Sequence, residues 1–405
     1  LGDVYKRQGA YVHLSNHIEV KEPLRQFTDP AKDFVHSIVP DDKFISSILD
    51  NIGAHTLTFP LLERNLTTID ANVMWPLFTG GKRIFASRIG NRMVDLAKAG
   101  REEAGATLQS ELVETYYALR LAQRVVDVRE QTFLGLQKHY SNEMKLEENG
   151  MINKAERLFA QVTMDEARRE LESARKDLNV AQNALKVLLN VEDAISINPS
   201  SPLFMNHDLP DELYFKNLVS TGSYIVSKLR IQEAMADNQL KISKSAYIPT
   251  IALFGKQTLY AENLPKNLMP RTLVGVGFTW NIFDGLNREA NIRQTRLTKQ
   301  TLQLGREKAQ NELGVLVDKL YSEIQNAKDD VAALNTTIEM SRELVRIRKK
   351  SFQEGMATST DVIDAETMLS KVQIAFLLAY YKYDVALASL LSTCGMPESF
   401  WQYSR

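Results

Sequence analysis

Residues 75–83 read WPLFTGGKR and residues 280–288 read WNIFDGLNR. One constant shift of 205 positions relates the two stretches. It carries Trp75 to Trp280, Phe78 to Phe283, Gly80 to Gly285, Arg83 to Arg288 and Arg88 to Arg293. Further along, Gly100-Arg101-Glu102 falls on Gly305-Arg306-Glu307, Tyr116 on Tyr321, and Gly150-Met151 on Gly355-Met356. Ala160, Val180, Ala181 and Leu185 land on Ala365, Val385, Ala386 and Leu390 without a gap. A single register that joins a tryptophan, several glycines and a turn predicts a duplicated unit.

All 12 prolines fall outside residues 77–198 and 271–396. A proline inside a helix removes a hydrogen bond and clashes with the preceding turn, costing about 3 kcal/mol. The two windows therefore read as long helices. Each is broken once, by Asn149-Gly150-Met151 in the first and Glu354-Gly355-Met356 in the second; glycine is the usual left-handed stop. Each window is expected to be a helical hairpin, whose leading arm from residue 80 to 148 would span roughly 100 Å at about 1.5 Å per residue. In ARRELESARKDLNVAQNALKVLLN (167–190), Leu171, Ala174, Leu178, Ala181, Leu185 and Leu188 recur at spacings of three and four. That pattern predicts a coiled-coil-like seam.

A strand precedes each helical window. In RTLVGVGFTWNIFDG (271–285), Val274, Val276, Phe278, Trp280 and Ile282 alternate with Gly275, Gly277, Thr279 and Asn281. The shift places Ile69, Ala71, Val73, Trp75 and Leu77 of TIDANVMWPLF on the matching face. YIPTIALFGKQTLY (247–260) and GAYVHLSNHIEV (9–20) supply partner strands of period two. A strand of about ten residues is long enough to cross a bilayer when tilted; the same alternation also suits a soluble sheet with one buried face. Trp75 and Trp280 fit an interfacial girdle or a core position. Four strands cannot close a barrel, and an open edge is not tolerated in lipid, so strands that span a membrane must be pooled between chains.

The expected divisions are a first β-hairpin with a long loop (1–78), a first helical hairpin (79–198), a linker and helix (199–246), a second β-hairpin (247–283), a second helical hairpin (284–396) and a C-terminal tail (397–405). The long segment near 21–60 and the loop 261–270 join the strands, the former expected on the extracellular side. The opening octet, LGDVYKRQ, reads as a scar, and the chain is expected to be part of a longer parent.

Composition narrows the function. With 49 basic and 50 acidic side chains and a net charge of -1, the chain lacks the basic excess that nucleic-acid binding rests on. Cys394 is the lone cysteine, which excludes an internal disulfide framework. No run of 18 apolar residues predicts a transmembrane helix. The six histidines carry no HExxH spacing, and neither a P-loop nor GxGxxG is present. No enzyme, metal or cofactor is expected.

The junctions WPLFTGGKR and WNIFDGLNR, with the turns ENGM (148–151) and QEGMATSTDVIDAE (353–366), resemble the TolC-like outer-membrane efflux family (outer membrane factors). The resemblance runs from about residue 9 to 395. It implies a mainly α fold with membrane β: two tandem repeats of β-hairpin plus long α-helical hairpin. In this family three chains give four strands each to a trimeric β-barrel in outer-membrane lipid, continued by an α-helical barrel in the periplasm. It implies a homotrimeric conduit of a tripartite efflux or type I secretion system, with a periplasmic adaptor protein and an inner-membrane pump of RND or ABC type. The family's usual helix ahead of its first strand, equivalent to about 211–246 before Tyr247, has no counterpart ahead of residue 9.

Site residues follow at the hairpin tips. Asn153-x-x-Glu156 and Thr358-x-x-Asp361 have the form of capping boxes, so Glu156 and Asp361 have a structural reading as helix starts. Asp364 lies at i+3 from Asp361 on the same helix face, and its shifted counterpart is Phe159. The resemblance aligns DVIDA with a segment whose aspartates line a closed periplasmic aperture, giving Asp361, Asp364 and Glu156 a gating role; the bland reading is a solvated acidic pair. The family's basic residue after the tip glycine is replaced here by Ala357. Gly150, Met151, Gly355 and Met356 resemble an adaptor-docking surface, although any helical hairpin needs a turn glycine. Thr79 and Asp284 read as N-caps. A periplasmic adaptor and a soluble coiled-coil scaffold are the alternative readings. An adaptor would carry lipoyl-like modules around one hairpin, and a scaffold would need no strands before each helical unit.

Overall fold

In the computed structural model, which describes residues 4–13, 18–20, 28, 30–33, 43–53, 59–62, 65–192, 195, 197–262 and 270–404, both proline-free windows fold as paired helices. The strands are β1 (Val4–His13), β2 (Ile18–Val20), β3 (Phe59–Leu62), β4 (Asn65–Phe78), β5 (Thr250–Glu262) and β6 (Thr272–Thr279). The helices are α1 (Lys43–Gly53), α2 (Lys82–Glu148), α3 (Lys154–Leu189), α4 (Glu212–Gly222), α5 (Tyr224–Ser245), α6 (Asn287–Gln353) and α7 (Ser359–Thr393). A 3-10 turn at Pro397–Ser399 and the short α8 (Phe400–Tyr403) follow. Both α2 and α6 are 67 residues long. The chain forms two compact units, one of residues 1–94 and 232–302 and one of 95–231 and 303–405.

The first unit holds a four-stranded antiparallel sheet in the order β1-β4-β5-β6, and β2 pairs with β3 separately. Trp75 stands opposite Leu253, which stands opposite Val276; Met74, Phe254 and Gly275 form the adjacent row. The Phe254 ring lies over Gly275, where an added Cβ would come within 2.6 Å of it. Pro76 sits at an irregularity between Pro76 and Phe78, where a residue without a backbone N–H is tolerated. Several bounds differ from those the alternation predicts. The partner strand expected over 9–20 starts earlier, with Val4 opposite Met74, and its far end divides at His13, Ile18–Val20 pairing with β3. β6 ends at Thr279, ahead of Trp280 and Ile282. The 21–60 segment contains α1; much of the rest of it, and loop residues 263–269, lie outside the described residues.

The second unit is helical. Its main core joins Val113 and Tyr117 of α2, Phe215 and Val219 of α4, Val317 and Ile324 of α6, Leu387 and Leu391 of α7, and Phe400. A smaller cluster unites Leu136, Ala160, Ala167 and Ile363. Within the predicted seam Leu171, Ala174 and Leu185 are buried, while Leu178, Ala181 and Leu188 are half-buried. The linker predicted over 199–246 contains two helices rather than one, α4 being capped by the Asp211 carboxylate, which accepts from Tyr214 N at 3.0 Å. Against the expectation of none, α7 is long and apolar enough to cross a membrane by length and composition, with mean hydropathy 1.4 over its best window. Its apolarity serves the core, since Tyr383, Leu387, Leu390 and Leu391 are fully buried.

Helix starts follow capping chemistry unevenly. Thr79 Oγ1 accepts from Arg83 N at 3.4 Å. Asp284 was expected in the same role, but α6 begins three residues later, at Asn287, preceded by Leu286 in the left-handed region at φ 68°. The Asp284 carboxylate instead faces Arg288 at 3.6 Å. The Arg288 guanidinium donates to the carbonyls of Asn281 and Ile282 and stacks over Tyr247.

Candidate functional site

Both hairpin turns use the same chemistry. Gly150 and Gly355 have φ of 69° and 73°, a conformation cheap only for a residue without Cβ. Gly150 N donates to Glu147 O at 2.8 Å and Met151 N to Leu146 O at 2.8 Å; Gly355 N donates to Phe352 O at 3.0 Å and Met356 N to Ser351 O at 2.8 Å. These paired bonds satisfy the last carbonyls of α2 and α6. They leave Met151 and Met356 on the surface, each 71% exposed.

The acids divide by environment. Thr358 and Asp361 form a capping box: Thr358 N donates to Asp361 Oδ2 at 2.9 Å, and Asp361 N donates to Thr358 Oγ1 at 3.3 Å. Asp361 Oδ1 also pairs with Arg348 at 3.2 Å. The Thr358 backbone and hydroxyl bonds, then the Arg348 charge, hold the Asp361 carboxyl below the usual carboxylate range. Asn153 Oδ1 accepts from Glu156 N at 3.0 Å, and its amide donates to Glu156 Oε1 at 3.3 Å. Glu156 is half-buried, and Asp364 is exposed one turn beyond Asp361. The structure thus ties Asp361 and Glu156 into helix caps and leaves Asp364 outward.

A further group went unseen in the sequence. His139 Nε2 lies 2.8 Å from Ser359 Oγ and 3.4 Å from Glu143 Oε1. All three residues are buried. Only the i,i+4 spacing of His139 and Glu143 was visible in the sequence; Ser359 comes 220 positions later.

In the sheet, the faces separate by polarity. Ile69, Val73, Trp75, Leu77, Val274, Val276 and Phe278 are exposed. Trp75 and Trp280 are 49% and 52% exposed, so neither is a core side chain within the chain. Trp280 Nε1 donates to Tyr247 O at 3.1 Å. The alternate positions carry Asp70, which pairs with Lys256 at 2.9 Å and accepts from Thr258 Oγ1 at 2.7 Å. The sheet thus carries exposed aliphatic and aromatic side chains on one set of alternating positions and the Asp70–Lys256 ion pair on the other, an alternation that membrane strands share.

Long helical hairpins together with such a sheet define a class of outer-membrane protein. The family profile described as outer membrane efflux protein matches residues 63–191 and 225–396. The chain belongs to the outer membrane efflux protein family, whose members reside in the Gram-negative outer membrane. It is 25% identical over 237 residues to outer membrane efflux protein BepC of Brucella suis biovar 1, a match covering 56% of this chain and 49% of that one. It is 22% identical over 293 residues to alkaline protease secretion protein AprF of Pseudomonas aeruginosa, covering 70% and 60% respectively. The match thus spans about half of the first relative's length. The crystal structure of the outer membrane protein VceC from Vibrio cholerae superposes with a TM-score of 0.74 at 13% identity, over 98% of this chain and 87% of that one.

Proposed function

We propose that this chain is the channel subunit of a tripartite efflux or type I secretion system. Three copies pool their strands into one closed outer-membrane barrel, and their helical hairpins continue it as a periplasmic tunnel. Solute passes without covalent chemistry. The observation that carries this reading is the four-stranded sheet, whose exposed side is aliphatic and aromatic and whose order leaves β1 and β6 as edges. Lipid solvates such a face, and only pairing between neighbouring chains satisfies such edges there.

The division into two β-hairpins, two helical hairpins and a linker between them belongs to the same proposal. Met151 and Met356, with the turns at Gly150 and Gly355, form the adaptor-docking tips, and Trp75 and Trp280 the interfacial girdle. An inner-membrane pump of RND or ABC type completes the path. Asp364, supported by Asp361 and Glu156, lines the periplasmic aperture. Like charges about 6 Å apart repel by less than about 1 kcal/mol per pair in water and by several at lower effective dielectric; cations relieve that repulsion and are favoured in passage.

Planar-bilayer conductance of the detergent-extracted protein tests the reading. A trimeric mass and discrete cation-selective steps are expected, with selectivity lost when Asp361→Asn and Asp364→Asn are combined. A monomeric mass without detergent and without conductance overturns the channel. Unchanged selectivity in a conducting double variant overturns the gating assignment alone.

A further inference from the structure

The end of α2 is joined to the start of α7 by buried polar side chains. His139 and Glu143 stand one turn apart on α2, shortly before the Gly150 turn, and Ser359 is the first residue of α7, four positions beyond Gly355. Their residue exposures are 6%, 0% and 2%. The Phe352 ring of α6 meets the His139 ring edge-on at 5.0 Å between centroids. Neither Glu143 oxygen has a hydrogen bond of ordinary geometry among the described residues. Caps and core packing need none of these groups, and an apolar trio would hold the helices together at lower desolvation cost. A buried imidazole bonded across two hairpins is instead suited to switching, since its charge changes in the mildly acidic range.

We propose that His139, Glu143 and Ser359 form a proton-sensitive clamp that holds the second hairpin's tip against the first and releases it on acidification. The charged groups around it set the direction. From α3, Glu156 faces Glu143; from α6, Lys349 faces His139 and pairs with Glu366 of α7; Asp361 of α7 is occupied by Thr358 and Arg348. Burial, and then the Lys349 charge, bring His139 down from 6.5 to about 4. The released state, with His139 hydrated near its ordinary value, therefore binds the extra proton more readily. The clamp is complete above about pH 6.5 and is lost as pH falls toward 4. Glu143 works in the opposite sense. Burial raises its carboxyl, the Ser359 hydroxyl partly offsetting this and the Glu156 charge adding to it; its uptake of a proton favours the clamped state. The clamp rests on contacts within the helical unit, and only its consequence for a conduit aperture rests on the proposed function.

The experiment reads tip separation directly. Spin labels are placed through Met151→Cys and Met356→Cys on the full chain, Cys394 being fully buried, and the label distance is measured at pH 7.5 and pH 5. The His139 shift alone lowers the clamped-to-released ratio on the order of 30-fold between these values, and Glu143 holds the parent's fall below that. In His139→Gln the fall disappears, leaving only the opposite contribution of Glu143, and in Glu143→Gln it grows beyond the parent's. No step in the parent, or an undiminished step in His139→Gln, overturns the clamp. Should His139→Gln lose helix by circular dichroism, Glu143→Gln decides alone, and a step no larger than the parent's overturns it.

Discussion

Asp384 illustrates what a single residue costs in this fold. It is fully buried beside Tyr117 and Tyr383, and burial lifts its carboxyl from 3.8 to about 9, the Phe204 backbone pulling the other way. Because the folded value is raised, the acid's favourable contribution is complete below about pH 3.8 and is lost as pH rises through about 9. Asp384→Asn removes the ionisable proton with little change of shape. It is expected to leave stability near pH 4 little changed and to raise it on the order of 5 kcal/mol by pH 8. Thermal unfolding across pH checks this, and parallel curves for the two proteins would refute it. In sequence Asp384 was one acid among fifty, because only the folded neighbourhood of Tyr117 and Phe204 distinguishes it. His139 was hidden for the same reason, its partner Ser359 lying on another helix.

At the scale of elements, the long helices were readable and their edges less so. Absence of proline fixed both windows, and Gly150 and Gly355 marked the turns because a left-handed backbone selects glycine. The seam through Leu171 and Leu185 followed from spacing alone. Strand limits were less visible. Val4–Gln8 pair with Asp70–Met74 through backbone bonds that no alternation rule detects, and the left-handed Leu286 displaced the start of α6 past Asp284. The capping box at α7 was readable, and it permits a local test. Thr358→Ala removes the hydroxyl that accepts from Asp361 N, costing about 1 kcal/mol. Amide exchange in the first turn of α7 is expected to rise about fivefold while the amides around Leu185 are unaffected. Equal acceleration at both places would mean that the cap is coupled to the entire helix.

Across the whole molecule, the helical class and the family were legible, because helical periodicity and the proline-free windows act over hundreds of residues. The proposed aperture rested on resemblance alone, because an axial ring is a property of several chains. The two edges of the sheet, β1 and β6, have a genetic consequence. If each copy needs neighbours on both sides, a proline placed in β6 blocks one edge while β1 still recruits a normal partner. Such a chain is a terminator of its own assembly. Co-expressed with the parent at equal dose, it should poison most mixed rings and depress export far below half. A fall to one half only would show that copies are incorporated independently.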